Sequence, residues 1–286
     1  MAAATGIGGA GIGALRVDAH HHVWRIARGD YGWLTPDLPI CRDYGLDELR
    51  PLLGDITATV LVQAAPTEAE TGFLLQTARE SEGLVRAVVG WVDLSAPDAP
   101  SRIEAAAGTD LLKGVRPMLQ DIAETDWIQR GAVQPALEAM RQAGLRFDAL
   151  VQPRHLPALL TLAERHPELS IVIDHGAKPD IAVGAWQPWA NDIVRIARET
   201  PAFCKLSGLV TEAGAGWTVE TLRRYVDHLL DCFGPSRTMW GSDWPVDNLA
   251  GGYRRWRDAA LSLLSGLAPA DRDAVLGTTA AAFYGQ

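Results

Sequence analysis

Cysteine is scarce in this chain: three residues in 286, Cys41, Cys204 and Cys232, and no C-x-x-C pair among them. So few scattered thiols supply no disulfide framework and point to a reducing compartment, with the cytoplasm as the default address. Long apolar runs are missing too. The longest are about ten residues, half of what a membrane helix needs, and Gly, Pro or charge breaks each of them. No Lys/Arg run could follow a phosphate backbone, and 26 basic against 35 acidic residues leave a formal charge of −9. That excludes a nucleic-acid partner. It does not exclude a small anionic ligand, which needs only one or two local cations. There is no G-x-S-x-G elbow for an α/β-hydrolase nucleophile. Gly11 and Gly13 have dinucleotide-type spacing but precede the first strand pattern, which disqualifies them. The opening MAAATGIGGAGIGALR lacks the basic segment and apolar core of a signal peptide. Residues 1–14 read as a flexible Gly/Ala-rich leader and 15–286 as one domain.

What is present is a large apolar fraction, 48%, enough to fill a sizeable core. Eight β-rich runs recur along the chain: Leu15–His22, Thr57–Gln63, Val85–Asp93, Lys113–Met118, Leu145–Val151, Ser170–Gly176, Ala202–Gly208 and Thr238–Trp244. Between them the spacing is helical, as in Val219, Leu222, Val226, Leu229, Leu230 and Phe233, which share one stripe. Helices are expected over Glu68–Glu80, Pro100–Ala107, Asp126–Ala143, Leu156–Arg165 and Trp189–Glu199, with two closing helices, Tyr253–Leu264 and Asp271–Tyr284. Short apolar runs joined by crossover helices mean parallel strands. Eight of them predict an α/β fold of the closed (β/α)8 kind, a TIM barrel. The long Trp24–Leu53 connection, with Tyr31 and Trp33, suits a lid over the barrel mouth.

In such a barrel, reactive residues sit at the carboxyl ends of strands. The first strand ends in Asp18-Ala19-His20-His21-His22. Alternation turns His20 and His22 the same way, about 6.6 Å apart at 3.3 Å per residue, close enough to share a metal ion or to form a hydrogen-bonded pair without one. Strand six ends in Asp174-His175-Gly176, where His175 is an acid, base or ligand, or a core imidazole held by a carbonyl. Strand eight ends in Gly241-Ser242-Asp243-Trp244-Pro245. Asp243 can take a proton from water or bind a metal there, or cap a helix. Arg116 and Lys205 are cations inside the barrel. They bind substrate, or they pair internally with Asp174 or Asp148. Gln63 is either a ligand-binding amide or an ordinary loop residue. Of the ten tryptophans, Trp33, Trp91 and Trp244 are placed to wall an active site. His155, His166 and His228 read as structural or exposed.

Taken together, VDAHHHVW (Val17–Trp24), YGWL (Tyr31–Leu34), VIDHGAKPDI (Val172–Ile181), CKLSGLVTEA (Cys204–Ala213), MWGSDWPV (Met239–Val246) and LGTTAAAFYG (Leu276–Gly285) resemble the amidohydrolase superfamily. The likeness is to its amidohydrolase-related branch that includes sugar lactonases. It implies a distorted (β/α)8 barrel that hydrolyses the ester of a small lactone, a sugar-acid lactone first among them. By motif, His20 and His22 are the first-strand pair, His175 the sixth-strand His and Asp243 the eighth-strand Asp. The chain departs from two-metal members. Val115-Arg116-Pro117-Met118 offers no bridging lysine, and Leu145–Val151 has no His. One divalent ion on His20, His22 and Asp243, zinc being the leading candidate, or no metal at all, is what the resemblance then implies.

The expected chemistry is base-activated water. Asp243 is the base, His175 orients water or carbonyl, and Arg116, Lys205, Gln63, Trp33 and Trp244 hold the substrate. Three alternatives stay open: a metal-dependent decarboxylase of an aromatic or unsaturated acid, an amide or imide hydrolase, and a non-catalytic sugar-acid binding protein. Whether the chain forms a homo-oligomer is open as well.

Overall fold

All eight expected strands form in the computed structural model, which describes residues 15–285. They are β1 (Val17–His21), β2 (Ala58–Val62), β3 (Val85–Gly90), β4 (Leu112–Val115), β5 (Arg146–Ala149), β6 (Ile171–Ile173), β7 (Phe203–Leu206) and β8 (Thr238–Trp240). Every neighbouring pair is parallel and the order follows the sequence. The leader expected over residues 1–14 lies outside the described residues.

The barrel closes beyond the end of its shortest strands. β8 stops at Trp240, and a parallel bridge between His21 and Trp244 joins it to β1. The His22 N–H donates to the Trp244 carbonyl (2.7 Å) and the Asp243 N–H to the His20 carbonyl (2.8 Å). The seam is therefore made by the backbone of the candidate site. Gly241 permits it: a Cβ there would lie 2.7 Å from His20 Cβ and 2.9 Å from His20 N. Gly241→Ala is expected to cost about 1–3 kcal/mol through overpacking, read as a lowered urea midpoint. An unchanged midpoint would mean that the seam has slack.

The faces of β1 are set by an irregularity. Asp18 pairs with Thr59 but His21 with Leu61, so β1 carries one extra residue there. Such a bulge re-aims the side chains that follow it. Val17 and Ala19 pack with Val60, Val62, Val89 and Met239 in the barrel interior. Past the bulge His20 and His22 face inward, while His21 turns outward to Thr59 Oγ1 (2.9 Å). The helix Thr279–Tyr284 plugs the floor, where Phe283 and Tyr284 join the same interior cluster.

Helices form over Glu68–Arg79, Ala99–Ala107, Leu156–Arg165, Trp189–Glu199, Val219–Phe233 and Gly252–Leu263, within a residue or so of expectation. Two expected helices are broken. In Asp126–Ala143 only Gln134–Gln142 is α-helical, because Pro135 starts the helix and Gly131 interrupts the run before it. Asp271–Tyr284 passes through a π turn at Ala274–Thr278, which brings Gly277 against the backbone of Leu15. No helix among the described residues is long and apolar enough to cross a membrane.

Candidate active site

The carboxyl ends of β1, β6 and β8 bring three imidazoles around one carboxylate. Asp243 Oδ1 lies 3.3 Å from His22 Nε2, 3.7 Å from His20 Nε2 and 3.9 Å from His175 Nε2. All four residues are buried. Asp243 has φ +60° and His175 φ +55°. Non-glycine residues in that left-handed region carry backbone strain, and such strain collects at functional sites. Gly208 gives the His175 ring its place, since a Cβ there would sit 2.5 Å from His175 Nδ1.

For His22 the partner assigns the proton. His22 Nδ1 is 2.8 Å from the Val62 carbonyl. A carbonyl only accepts, so Nδ1 carries the hydrogen. In the neutral ring Nε2 is then a lone pair facing a carboxylate oxygen. Two acceptors 3.3 Å apart need a cation or a proton between them. His20 Nδ1 lies 3.4 Å from Asp174 Oδ1 and 3.2 Å from Lys205 Nζ, while Arg116 Nη1 is 3.4 Å from its Nε2. A neutral imidazole has one lone pair, so only one of these cations can donate to it. With the proton on Nδ1 toward Asp174, Nε2 opens toward Asp243. Ligand atoms of His20, His22 and Asp243 all lie within 4.8 Å of one another. Two imidazole lone pairs and a carboxylate fit a divalent ion such as zinc.

Burial is the main influence on His175 and pushes its pKa down to about 4; burial also drives His20 well below its usual value. Both rings are neutral at neutral pH. Burial alone would raise the Asp243 carboxyl, but His175, His22 and His20 together outweigh it and hold Asp243 below the usual carboxylate range. An imidazolium at His175 would tie up the carboxylate as an ion pair. The acid limb of kcat/KM is therefore expected near pH 4. A limb near 6.5, the value of a solvent-exposed histidine, would contradict this electrostatic reading.

The cavity over these groups has a volume of about 180 Å3 and is lined by His22, Trp33, Arg116, His175, Lys178 and Asp243, among others. Arg116 and Trp33 are thus where the sequence placed them. Lys205, Gln63 and Trp244 are not on the cavity wall. Lys205 is fully buried, its ammonium 2.6 Å from Asp148 Oδ2 and 3.0 Å from Asp174 Oδ1. The internal ion pair, and not a substrate contact, describes its position. Gln63 donates from Nε2 to the Arg116 carbonyl (2.8 Å), and its own carbonyl accepts from Arg116 Nη2, so it braces the arginine. Trp244 packs edge-on to Tyr44, ring centroids 5.4 Å apart, with 2% exposure. Its ring is packed away from solvent behind Tyr44. His155 accepts from the Gln152 N–H, His166 meets Gln134 and His228 the Ala190 carbonyl; each is structural.

Two residues escaped the sequence reading. Ser207 Oγ lies 2.8 Å from His175 Nδ1 and fixes that ring with Nε2 toward Asp243. Lys178 follows the left-handed turn after β6 (φ +51°), and its ammonium meets Gln120 Oε1 at 3.0 Å and Glu212 Oε1 at 3.2 Å. The only signal for Lys178 was a cation directly after Asp-His-Gly-Ala.

Comparison with known proteins adds the following. Residues 17–286 match the family described as amidohydrolase. Over 94% of this chain and 95% of the relative, the sequence is 45% identical to an L-fucono-1,5-lactonase of Burkholderia ambifaria. It is 38% identical to an L-fucono-1,5-lactonase of Burkholderia multivorans, covering 96% of this chain and 97% of that one. A crystal structure of an amidohydrolase from Burkholderia multivorans with bound zinc superposes with a TM-score of 0.89 at 36% identity, over 95% of this chain and 99% of the other.

Proposed function

The chain belongs to the amidohydrolase family, and from that membership and the geometry of its rim we propose that it hydrolyses the ring ester of a sugar-acid lactone, with L-fucono-1,5-lactone as the first substrate to try. The observation that carries this reading is Asp243 Oδ1 within 3.3–3.9 Å of three imidazole nitrogens, on a cavity that Arg116 and Lys178 also line. The 45% identity is to a lactonase, which favours lactone opening over decarboxylation or simple binding.

Water sits against Asp243, which accepts a proton as the oxygen adds to the lactone carbonyl. Negative charge grows on the carbonyl oxygen. Arg116 supplies a permanent cation, already aimed and stripped of water, and that kind of preorganised charge lowers the barrier most. Gln63 holds the guanidinium in place. His175, neutral and fixed through Ser207, presents Nε2 to the reacting oxygens. The intermediate collapses by breaking the bond from carbonyl carbon to ring oxygen, and the leaving oxygen takes the proton from Asp243. A carboxyl with a low pKa gives up its proton readily but is a modest base. A divalent ion held by His20, His22 and Asp243 would add Lewis-acid polarisation when bound. The product carboxylate then meets Asp243, and like charges favour its release. We place the activity in a reducing cytoplasm, where Cys41, Cys204 and Cys232 stay free thiols.

The test is a pH-indicator assay on a panel of sugar 1,4- and 1,5-lactones, run with and without chelator. Saturable acid release above the spontaneous rate is expected, strongest on a 6-deoxyhexono-1,5-lactone. Release from no member of the panel by folded protein would remove the proposal.

A further inference from the structure

Beside the candidate active site lies a second cavity of about 600 Å3. The two share Trp33, Met118 and Asp121 as walls, so they adjoin. The inner one, over Asp243, has a volume of about 180 Å3. The outer one is more than three times larger. A lactone seated on Asp243 leaves it open.

Its lining has a definite chemistry. Trp91 and Trp127, both half-buried, join Trp33 in its lining, which makes three indoles. The polar rim is made of carboxylates: Asp30, Asp93 and Asp121. Asp93 accepts from Ser95 N–H and Oγ–H through Oδ1, which leaves Oδ2 for a ligand. No Lys or Arg lines this compartment among the described residues. Asp30 is paired with Arg28, which leaves Asp93 and Asp121 as the acids of this lining without an ion pair among the described residues, and these repel a carboxylate or phosphate. A purely apolar group would leave those acceptors facing it without donors. A neutral sugar ring satisfies both demands, since its C–H faces lie on indoles and its hydroxyls donate to carboxylates.

We propose that this Trp33–Trp91–Trp127 compartment is a subsite for a neutral glycosyl residue, so that the chain accepts the lactone of an oligosaccharide acid as well as that of a single sugar acid. This rests on the lactone-opening reading. The reaction upstream is then one that oxidises a reducing-end sugar to its lactone while leaving the glycosidic bond intact.

Two measurements test it. The first compares L-fucono-1,5-lactone with derivatives carrying one β-glucosyl group at O2, O3 or O4. At least one glucosylated lactone should have a KM about five- to tenfold lower than the free lactone, the range a stacking contact supports. Trp91→Ala and Trp127→Ala should each bring the two KM values together. The second titrates tryptophan fluorescence with methyl β-D-glucopyranoside and with sodium gluconate. Saturable quenching by the neutral glycoside alone, lost in Trp91→Ala, is expected. A protein that opens free lactones, shows no glucosyl preference and no quenching overturns the subsite while the lactonase reading stands. A stronger preference for a phenyl than for a glucosyl substituent also overturns it. Glycoside quenching with no lactone opened keeps the sugar subsite and removes the lactonase reading.

Discussion

Asp243→Asn should fold normally and open lactones about 10²–10⁴-fold more slowly, the usual contribution of a positioned general base. The exchange is close to isosteric. Asparagine tolerates the left-handed backbone that residue 243 adopts at φ +60°, so the loop after β8 keeps its shape. The new amide can donate to the His22 Nε2 lone pair, which in the wild type faces the carboxylate at 3.3 Å. The backbone N–H to the His20 carbonyl is untouched, so the barrel seam survives. What disappears is the negative charge and basicity of the carboxylate that three imidazoles surround. The fall should appear in kcat with KM little changed, because the lost interaction forms with the transition state. Turnover within a few-fold of wild type would take Asp243 out of the chemistry.

Lys205→Met is expected to lower the unfolding free energy by about 3–5 kcal/mol, the cost of orphaning buried charge. Beneath His20 the ammonium is shared by Asp148 and Asp174, all three without solvent exposure. Tyr284 adds its hydroxyl to Asp148 Oδ2 at 2.6 Å. Burial pushes both acids up, and their charged neighbours then separate them. Asp148 rises because of burial and the nearby Asp174. Asp174 is raised by burial too, but Lys205, His20 and Arg116 hold it down. Removing the ammonium leaves Asp174 facing Asp148 with only Arg116, 3.3 Å from its Oδ2, to offset its charge. Asp148→Asn in the same chain should recover part of the loss, because groups in one network couple non-additively. Urea denaturation reads both. A loss under about 1 kcal/mol, the range of surface pairs, would show that water reaches this network.

The barrel was legible because each strand is a short apolar run, and eight of them alternate with helical stripes. The site was legible through one geometric rule: chemistry gathers at the carboxyl ends of barrel strands. His20, His22, His175 and Asp243 met accordingly. That His20 and His22 share a face follows from alternation, but the inward direction of that face depends on the extra residue in β1, which no local pattern announces. Lys205 sits among Phe203, Cys204 and Leu206, which signals burial but not whether an acid or a substrate meets the ammonium. Lys178 was missed because its direction comes from a left-handed turn through His175, Ala177 and itself, and such turns at non-glycine residues leave no mark in composition.

The most direct measurement follows oxygen. Hydrolysis of L-fucono-1,5-lactone in 18O-labelled water, by wild type and Asp243→Asn in parallel, should place one label in the product carboxylate at an enzyme-dependent rate that the variant loses. Label in the ring-derived hydroxyl, or incorporation no faster with enzyme than without, would mean that water at Asp243 does not attack the lactone carbonyl.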